Sequence, residues 1–444
     1  MPMGANGFDI VVCGGGAAGL MAALAAARVG ATVAICEKDE RLGKTILATG
    51  NGRCNLSNTA IIGEDGTSFY HNPSFVAPTL ERYNCVALRD VFEGLGLLTF
   101  ADDRGWVYPR SRWANSVLNV LLNEVGRQGV AVRTGQEVKG IQPVNGGGFR
   151  VQTAASTLVS RALVLACGGF VSGRPAPCDG IASLLVVTPT PILAPLRTDA
   201  EAVKGLDGVR VHCRATLWGR GNSQSPQQSH PRAQPQDQPS QSQQPQPQLL
   251  QPPQPLAQET GELLFRGYGV SGIAIFNLSR FAQPGHQLSL DFFCDLSVQE
   301  LSALLNRRWN TGGYETWGAF LDGMLHTRLG RAVLRAARLP LAQVPAPPLF
   351  DKLAQALKGY RLTITAGADG RLAQVMRGGW ATEGFDPATL GSRTYSGLYA
   401  AGECLDVDGP CGGFNLHWAW ASGLVAGQSA ACHAMITPPM SVAS

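Results

Sequence analysis

The sequence lacks strong charge of one sign and long uninterrupted hydrophobic runs. Its formal net charge is +4 and no block of like charge occurs, which disfavours nucleic acid or an anionic membrane as a partner. No stretch reaches the roughly 20 consecutive apolar residues that a transmembrane helix requires. The residues before Phe8 lack the basic and apolar regions of a signal peptide. We therefore expect a soluble, cytoplasmic protein that acts on a small-molecule substrate.

Cysteines in paired spacing are also absent. The 11 cysteines form an odd set, and Cys13, Cys36 and Cys167 lie in apolar runs, where a buried thiol acts as a small hydrophobic group. This pattern predicts free thiols in a reducing compartment, with neither a disulfide framework nor a metal site. Asp406 and Asp408 could supply oxygen ligands, but two acids alone make a poor metal site.

Glycine, by contrast, is abundant, with 54 residues in a chain of 444. A chain of this length exceeds one ordinary hydrophobic core, so two or three compact units are expected. Hydrophobic residues make up 45% of the sequence and charged residues 15%, which is typical of a globular enzyme. The many glycines favour tight turns and close approach of the backbone to a ligand.

The first informative motif is a strand, a glycine-rich turn and a helix near the start of the chain. An apolar run, Phe8 to Cys13, precedes the three glycines of a dinucleotide fingerprint, which are Gly14, Gly16 and Gly19. These glycines permit the turn, the approach of a pyrophosphate and close packing of helix on strand, while the helix N-terminus faces the phosphates. The next strand, Thr32 to Glu37, ends in a carboxylate that can accept hydrogen bonds from an adenosine ribose.

Two further segments favour FAD as the dinucleotide. The segment Leu42 to Asn58 combines glycines that allow close approach with polar donors, which suits a flavin or its phosphates. Near the other end, Gly397 to Gly423 reads as a strand, an acid, a glycine pair and a helix start. Amides at that helix N-terminus would stabilise negative charge on a reduced flavin, and Glu403 or a nearby amide would meet the ribityl chain.

A third strand, Ala162 to Ala166, is followed by a glycine pair, as expected where a parallel strand delivers the chain to a ligand. No metal-binding residue is predicted. The predicted FAD-binding residues are Gly14, Gly15, Gly16, Ala17, Ala18, Gly19, Glu37, Lys38, Gly50, Asn51, Gly52, Arg53, Cys54, Asn55, Val138, Gly168, Gly169, Gly402, Glu403, Gly412, Gly413, Phe414 and Asn415.

Together these motifs resemble those of the BaiN-like and aminoacetone oxidase family of FAD-dependent oxidoreductases. The runs that carry the resemblance are GGGAAGLMAA with its following EK, GNGRCNLSN, GELLF with GVSG, AGECLDVDG and GGFNLHWAWASG. The likeness spans most of the chain. It implies a two-part FAD-binding domain with a β-barrel-like insert and a helical insert, and it leaves the substrate open because family members differ in chemistry.

The predicted fold is α/β, with a two-part Rossmann-like FAD-binding domain and inserted β-barrel-like and helical subdomains. The predicted parts are residues 1–188 (first part of the FAD-binding domain), 189–290 (β-rich insert), 291–359 (helical insert) and 360–444 (second part). Residues 221–258, within the β-rich insert, are rich in Gln and Pro, a composition that cannot bury enough apolar surface to fold. We therefore predict a disordered tract there.

Several single side chains allow both a functional and a structural interpretation. His417, beside the flavin-facing glycines, is a weak candidate proton donor, although a packed position within the helix is the commoner role. Arg110 and Arg112 could bind an acidic substrate or lie in a solvated loop. Cys54 has no second cysteine nearby and is expected to be structural. Trp380 could line the flavin or belong to the core.

The sequence therefore predicts an FAD-dependent oxidoreductase that binds its cofactor non-covalently and transfers a hydride between the flavin and a small organic substrate. Only one glycine fingerprint follows a strand, so NAD(P)H, as a candidate electron donor, would have to reduce the flavin directly. An amine oxidase of the aminoacetone type, reducing O2 to H2O2, is an open alternative. An FAD-binding interaction protein without turnover is another. These residues do not determine the substrate, the electron donor or the oligomeric state.

Overall fold

The structure is a computed structural model that describes residues 6–170, 180–219 and 254–437. The described residues form two compact units, because the chain divides after Leu193 and again after Ala368. The first unit therefore contains both ends of the chain, and the second is an insertion. Among the described residues, no helix combines the length and the hydrophobicity that crossing a lipid bilayer requires.

The strands lie in all parts of the described chain. In chain order they are β1 Gly7–Cys13, β2 Val33–Cys36, β3 Ser57–Asn58, β4 Thr99–Ala101, β5 Trp106–Pro109, β6 Ala131–Arg133, β7 Val138–Pro143, β8 Phe149–Thr153, β9 Thr157–Leu165, β10 Val186–Ile192, β11 Leu196–Thr198, β12 Arg210–Trp218, β13 Pro255–Arg266, β14 Gly269–Ser271, β15 Gln287–Asp291, β16 Tyr360–Ala366, β17 Val375–Trp380 and β18 Leu398–Ala400.

The helices range from single turns to one long helix near the end of the chain. In chain order they are α1 Ala17–Ala27, α2 Lys44–Ala48, α3 Pro73–Arg82, α4 Cys85–Gly94, α5 Ala114–Arg127, α6 Ala200–Val203, α7 Ile273–Ser279, α8 Val298–Asn310, α9 Trp317–Leu321, α10 Thr327–Ala336, α11 Phe350–Lys358 and α12 Phe414–Ile436.

The central sheet of the first unit has the strand order β6-β2-β1-β9-β8-β7, and β18 also pairs with β9. The pairs β1–β2, β1–β9 and β18–β9 are parallel, whereas β7 and β8 form an antiparallel extension. This topology confirms the predicted Rossmann-like α/β fold. Because parallel strands end at the same edge of a sheet, the glycine-rich turns that follow β1, β9 and β18 are brought to one side of the unit.

Helices α1 and α12 pack against each other so closely that their contact depends on glycine. The first lies near the start of the chain and the second near its end. A Cβ on Gly423 would overlap the carbonyl oxygen of Ala18, and one on Gly427 would overlap that of Ala22. Most of both helices is buried. A helix that is apolar all round is suited to the interior of a large protein.

The second unit is a closed barrel with the strand order β11-β14-β13-β12-β15-β16. Helices α8 to α11 share one hydrophobic core with the barrel: Leu290 of β15 and Phe350 of α11 are both fully buried members of it. The helices therefore do not form a core of their own, unlike the separate helical insert predicted for residues 291–359.

Two predicted boundaries differ from the structure. The second part of the FAD-binding domain was expected from residue 360, but β16 pairs with β11 and β15 and closes the barrel, so this strand belongs to the second unit. Of the predicted disordered tract, residues 221–253 lie outside the described residues. Its last residues, Pro255 to Gln258, begin β13 and pair with β12, where the backbone ladder orders them.

Two glycine-to-alanine substitutions should have opposite effects on stability, one at the contact between α1 and α12 and one outside it. Gly427→Ala should destabilise the protein by roughly 1–3 kcal/mol, because the added methyl group has no space. Gly126→Ala, in α5 with nothing near the new Cβ, should stabilise it by about 0.5–1 kcal/mol through the backbone entropy of the unfolded chain. Thermal unfolding followed by circular dichroism, at one FAD concentration, measures both effects. An unfolding midpoint for Gly427→Ala at or above that of the wild type would contradict this packing.

Candidate functional site

The turn between β1 and α1 leaves space only for backbone. Gly14 has a φ of 108°, and a Cβ on Gly19 would overlap the carbonyl oxygen of Gly14. Gly16 is the N-cap of α1 and has no side chain to bond the first amides of the helix. Ala17 and Ala18 therefore begin α1 with N–H groups that intrahelical hydrogen bonds leave unpaired. Amides in this arrangement bind phosphate groups, which is the role predicted for the fingerprint.

Glu37 is held directly beside this turn. It follows β2 and is only 9% exposed. Its Oε2 accepts a hydrogen bond from the Gly15 amide (2.6 Å) and its Oε1 accepts one from the Asp39 amide (2.9 Å). A carboxylate oxygen can accept more than one hydrogen bond, so these backbone contacts orient Glu37 and leave acceptor capacity for hydroxyl groups.

Lys38 and Val138 lie at the margin of this region. Lys38 is exposed immediately after Glu37. Val138 begins β7 two residues after Gln136, whose amide donates to the Glu37 carbonyl oxygen (2.8 Å). Val138 is thus two residues from a residue that contacts Glu37. The role of Val138 in FAD binding remains a prediction.

The predicted flavin loop has a run of left-handed backbone conformations. Gly50, Asn51, Gly52 and Cys54 all have φ between 54° and 80°. The Cys54 side chain is fully buried, and burial raises the pKa of its thiol to about 12, although a hydrogen bond from Thr49 opposes this rise. Because only a thiolate is a good nucleophile, this cysteine is inert at neutral pH and its structural interpretation is favoured.

The flavin loop and the start of α12 meet in the folded chain. Asn58 donates from Nδ2 to the carbonyl oxygen of Gly412 (2.9 Å), although the two residues are 354 positions apart. With its amide oriented to satisfy its neighbours, Asn55 accepts a hydrogen bond from the Gly413 amide (3.2 Å) and donates to Val107. A Cβ on Gly412 would lie 2.8 Å from Nε1 of Trp106. Two glycine-rich motifs from opposite ends of the chain thus form one cradle.

Phe414 and Asn415, predicted to bind the cofactor, make protein contacts that shape this cradle. The carbonyl oxygen of Phe414 accepts a hydrogen bond from the Tyr70 hydroxyl (2.9 Å), and burial raises the pKa of Tyr70. Asn415 binds both the amide and the carbonyl oxygen of Gly409, each at 2.8 Å, which closes the turn before α12. Tyr70 was not predicted, because nothing local in the sequence indicates that it reaches α12.

Glu403 has protein partners next to the Gly168–Gly169 turn. Its Oε1 accepts a hydrogen bond from the Met376 amide (2.8 Å), and it also accepts one from the amide of Gly169. Burial raises the pKa of Glu403, and the two amide hydrogen bonds oppose this rise. Gly402, before it, donates to Ser422 of α12 (2.9 Å). These contacts fix the β18 turn, and the predicted ribityl contact of Glu403 remains a prediction.

His417, the weak candidate proton donor, is packed between two protein partners. Its ring is fully buried, Nδ1 lies 2.8 Å from Oγ of Ser57, and Nε2 lies 2.9 Å from the carbonyl oxygen of Tyr83. Since a carbonyl oxygen only accepts, Nε2 carries the hydrogen and Nδ1 accepts from Ser57. Burial lowers the pKa of His417 to about 4, against a weaker opposing effect of the Tyr83 carbonyl. His417 is therefore a neutral residue that joins α12 to the flavin loop.

An ion pair that was not predicted from the sequence lies next to the acidic turn after β18. Arg377 of β17 donates to both carboxylate oxygens of Asp408, at 2.7 and 2.9 Å, and Asp408 is fully buried. Asp406 accepts a hydrogen bond from the Gly378 amide (2.9 Å). Asp406 and Asp408, the two acids considered as poor metal ligands, therefore both have protein hydrogen-bond donors. Trp380, also in β17, is fully buried against Phe170, so its core interpretation is correct.

The arrangement fits FAD. The uncapped start of α1 suits a pyrophosphate, and Glu37 beside it suits the ribose of an adenosine. The cradle formed by Gly412 and Gly413 is sterically closed to larger side chains and lies at the uncapped N-terminus of α12. That helix end carries partial positive charge, which suits a group that gathers negative charge. These residues would hold the cofactor without a covalent bond.

The chain is similar to several known proteins. The family model described as HI0933-like protein Rossmann domain matches residues 8–429. A 3-dehydro-bile acid delta(4,6)-reductase of Clostridium scindens is 34% identical, covering 95% of this chain and 98% of that protein. A ribosomal RNA dihydrouridine synthase of Escherichia coli is 25% identical, covering 95% and 97%. Among solved structures, a 3-ketosteroid-delta4-(5alpha)-dehydrogenase from Rhodococcus jostii is similar, with a TM-score of 0.48, 15% identity and coverage of 97% and 98%.

The position of Glu37 predicts that its charge contributes to FAD affinity. Glu37→Gln should raise the dissociation constant for FAD roughly tenfold or more, since hydrogen bonds to a charged acceptor are about twice as strong as neutral ones. Titration of the FAD-free protein, followed by quenching of flavin fluorescence, measures the constant. Glu40→Gln, at an exposed position three residues away, is the matched control. Equal affinities for the two variants would refute the assignment, provided that both unfold at the wild-type temperature.

The buried His417 predicts a pH dependence of stability. In the folded protein its pKa is about 4, against 6.5 for an ordinary histidine, so the unfolded chain binds the proton first as the pH falls. Its contribution to stability is complete above that window and is lost between about pH 6.5 and 4, amounting to roughly 3 kcal/mol. His417→Gln should remove this part of the pH dependence, measured as urea unfolding across the window. His71→Gln, a histidine substitution at an exposed site, is the control; an unaltered profile for His417→Gln would show that the ring is not buried neutral.

Proposed function

Because the chain belongs to the HI0933-like family of Rossmann-domain proteins and is an FAD-dependent oxidoreductase, we propose that it is a reductase. Its reaction would saturate a carbon–carbon double bond conjugated to a carbonyl group in a small organic substrate. NAD(P)H would supply the electrons by reducing the flavin directly.

The proposal rests on the chemistry that two relatives share. The Clostridium scindens protein is named for reducing the delta(4,6) double bonds of a 3-dehydro bile acid, in which a ketone stands next to the double bonds. The Escherichia coli protein is named for making dihydrouridine, in which the double bond next to a uracil carbonyl is saturated. The two substrates differ greatly in size and charge. What they have in common is an electron-poor double bond beside a carbonyl, and this is the substrate class that we carry over to this chain.

The residues of the first unit support this reaction by binding and polarising a flavin. When bound, FAD supplies a ring that accepts and donates a hydride. The amides at the start of α1 and the Glu37 carboxylate would hold its phosphates and ribose. The N-terminus of α12, with Gly413 as an N-cap that offers no side chain, would stabilise negative charge on the group it faces. The protein's contribution is orientation and electrostatics.

The proposed direction of the reaction requires an external electron donor, and we propose NAD(P)H. A reductase must be supplied with a hydride from outside, whereas an amine oxidase takes it from the substrate and passes the electrons to O2. The sequence contains one glycine fingerprint after a strand, and we assign it to FAD. A nicotinamide donor would accordingly use the face of the flavin that the substrate later occupies, with the two binding in turn.

Anaerobic reduction of the purified holoenzyme tests this proposal. We expect NADPH or NADH to bleach the visible flavin absorbance rapidly and aminoacetone to leave it unchanged. Adding a bile-acid enone to the reduced protein should restore the absorbance in the absence of O2. The corresponding saturated ketone is the control and should not restore it, because it has no double bond to reduce.

The competing functions give different results in the same experiment. Rapid bleaching by aminoacetone, with formation of H2O2 when air is admitted, would replace the reductase by the amine oxidase. A flavin that no donor reduces would favour an FAD-binding protein without turnover. A flavin reduced by NAD(P)H but reoxidised only by O2 would contradict the proposed substrate class.

A further inference from the structure

A small basic cavity lies beside the sheet formed by β3, β5 and β4, within the first unit. Its volume is about 210 Å³, below the roughly 300–1,000 Å³ of sites that enclose a whole drug-sized ligand. It is therefore suited to one end of a molecule. The residues that line it are Arg53, Phe100, Asp102, Arg104, Tyr108 and Arg112.

Positive charge exceeds negative charge in this cavity. Three arginines face one carboxylate, Asp102, which is bound by Arg104 at 2.9 Å. Partial burial alone would raise the pKa of Asp102, but hydrogen bonds from Arg104 and from backbone amides outweigh burial and lower it. Asp102 therefore stays ionised and already has its partner. In the described part of the chain, neither Arg53 nor Arg112 forms an ion pair with a carboxylate, so the lining keeps an excess of positive charge.

Aromatic rings restrict these arginines without neutralising them. The guanidinium carbon of Arg112 lies 4.9 Å from the ring centre of Phe100, and that of Arg53 lies 5.6 Å from the ring centre of Tyr108. Arg104 lies 3.9 Å from the ring centre of Trp106. Such contacts are attractive but leave the charge in place. A restricted guanidinium loses less freedom when it binds a ligand, so the cavity is partly organised for binding.

Arg53, Arg104 and Arg112 are exposed and Tyr108 is buried, so the cavity is open to solvent on the side of the arginines. Arg112 has a φ of 53°, an uncommon conformation for a residue other than glycine. Burial raises the pKa of Tyr108, while the charges of Arg53, Arg104 and Arg112 all act on its hydroxyl in the opposite direction. With its pKa raised, Tyr108 stays a neutral hydrogen-bond donor in the lining of the cavity.

The cavity is connected to the predicted flavin cradle through shared elements. Arg53 belongs to the flavin loop, between Gly52 and Cys54. Tyr108 and Trp106 lie on the same strand, β5, and Trp106 is the residue against which Gly412 packs. The cavity and the cradle are therefore built on the same loop and the same strand.

We infer that this cavity is an anion subsite, which binds a carboxylate or phosphate group carried by the substrate. Identifying the ligand as the substrate rests on the proposed reductase function. Guanidinium groups recognise both anions through paired N–H donors, and Tyr108 adds a neutral donor. The subsite narrows the substrate class to conjugated carbonyl compounds that bear an anionic group away from the double bond.

Binding to the oxidised, FAD-loaded protein tests the subsite without any turnover. Two pairs of probes differ only in the anion: cholate with its methyl ester, and uridine monophosphate with uridine. We expect the charged member of at least one pair to bind roughly tenfold more tightly than its neutral counterpart in calorimetry at low salt. Cholate selected in this way identifies a carboxylate subsite, and uridine monophosphate identifies a phosphate subsite.

Arginine variants show whether the cavity is responsible. Arg112→Gln should abolish most of the preference for the charged probe while FAD content stays at the wild-type level. Arg112→Lys, which keeps the charge but loses the paired donors, should retain part of it. Arg150→Gln is the matched control, because Arg150 is exposed on β8 of the same unit and does not line the cavity. No preference for either anion, or equal losses for Arg112→Gln and Arg150→Gln, would overturn the subsite.

The two proposals can fail separately. If the flavin shows no reductase chemistry but Arg112→Gln removes the anion preference, the subsite stands and the reaction is wrong. If enone reduction is observed and the anion preference is absent, the reaction stands and the subsite is wrong.

Discussion

The first unit depends on the contact between the flavin loop and the start of α12. Asn58 binds the carbonyl oxygen of Gly412, and Ser57 binds His417, across 354 and 360 positions of sequence. These groups are buried, so each one that lost its partner would pay a desolvation cost. Losing one partner of either contact would therefore destabilise the first unit. They unite the two segments of a unit that the barrel interrupts in the chain, and they complete the cradle in the same step.

The parts of this site that the sequence predicts are those governed by local backbone geometry. Gly14 and Gly19 are required because a turn between strand and helix leaves no space for a Cβ, and that constraint is visible in a dozen residues. Glu37 could be predicted for the same reason, since its position at the end of β2 follows from the length of one strand–helix–strand unit. A β-rich insert was predicted from the sequence and its barrel-like form was implied by the family resemblance, although its closing strand, β16, was assigned to the FAD-binding domain.

The parts that the sequence does not predict depend on residues that are distant in the chain. His417 was a weak candidate proton donor with packing in the helix as the commoner role, but the sequence could not name Ser57 and Tyr83 as the partners of its two nitrogens. The same holds for Asp408, which looked like a weak metal ligand and is the partner of Arg377. A titratable side chain has the same local sequence whether its partner is a substrate or a buried arginine. Only the packing of separate segments decides between these roles.

The uncharged states of Cys54 and His417 bear on the proposed reduction. Reduction of a conjugated double bond needs a proton as well as a hydride, and the proton must come from a group that can release it near neutral pH. Burial raises the pKa of the Cys54 thiol to about 12, and it keeps the His417 ring neutral with its hydrogen bound to the Tyr83 carbonyl oxygen. Both residues therefore serve the packing of the site. For the proposed reduction, the described residues of the first unit would contribute orientation and polarisation.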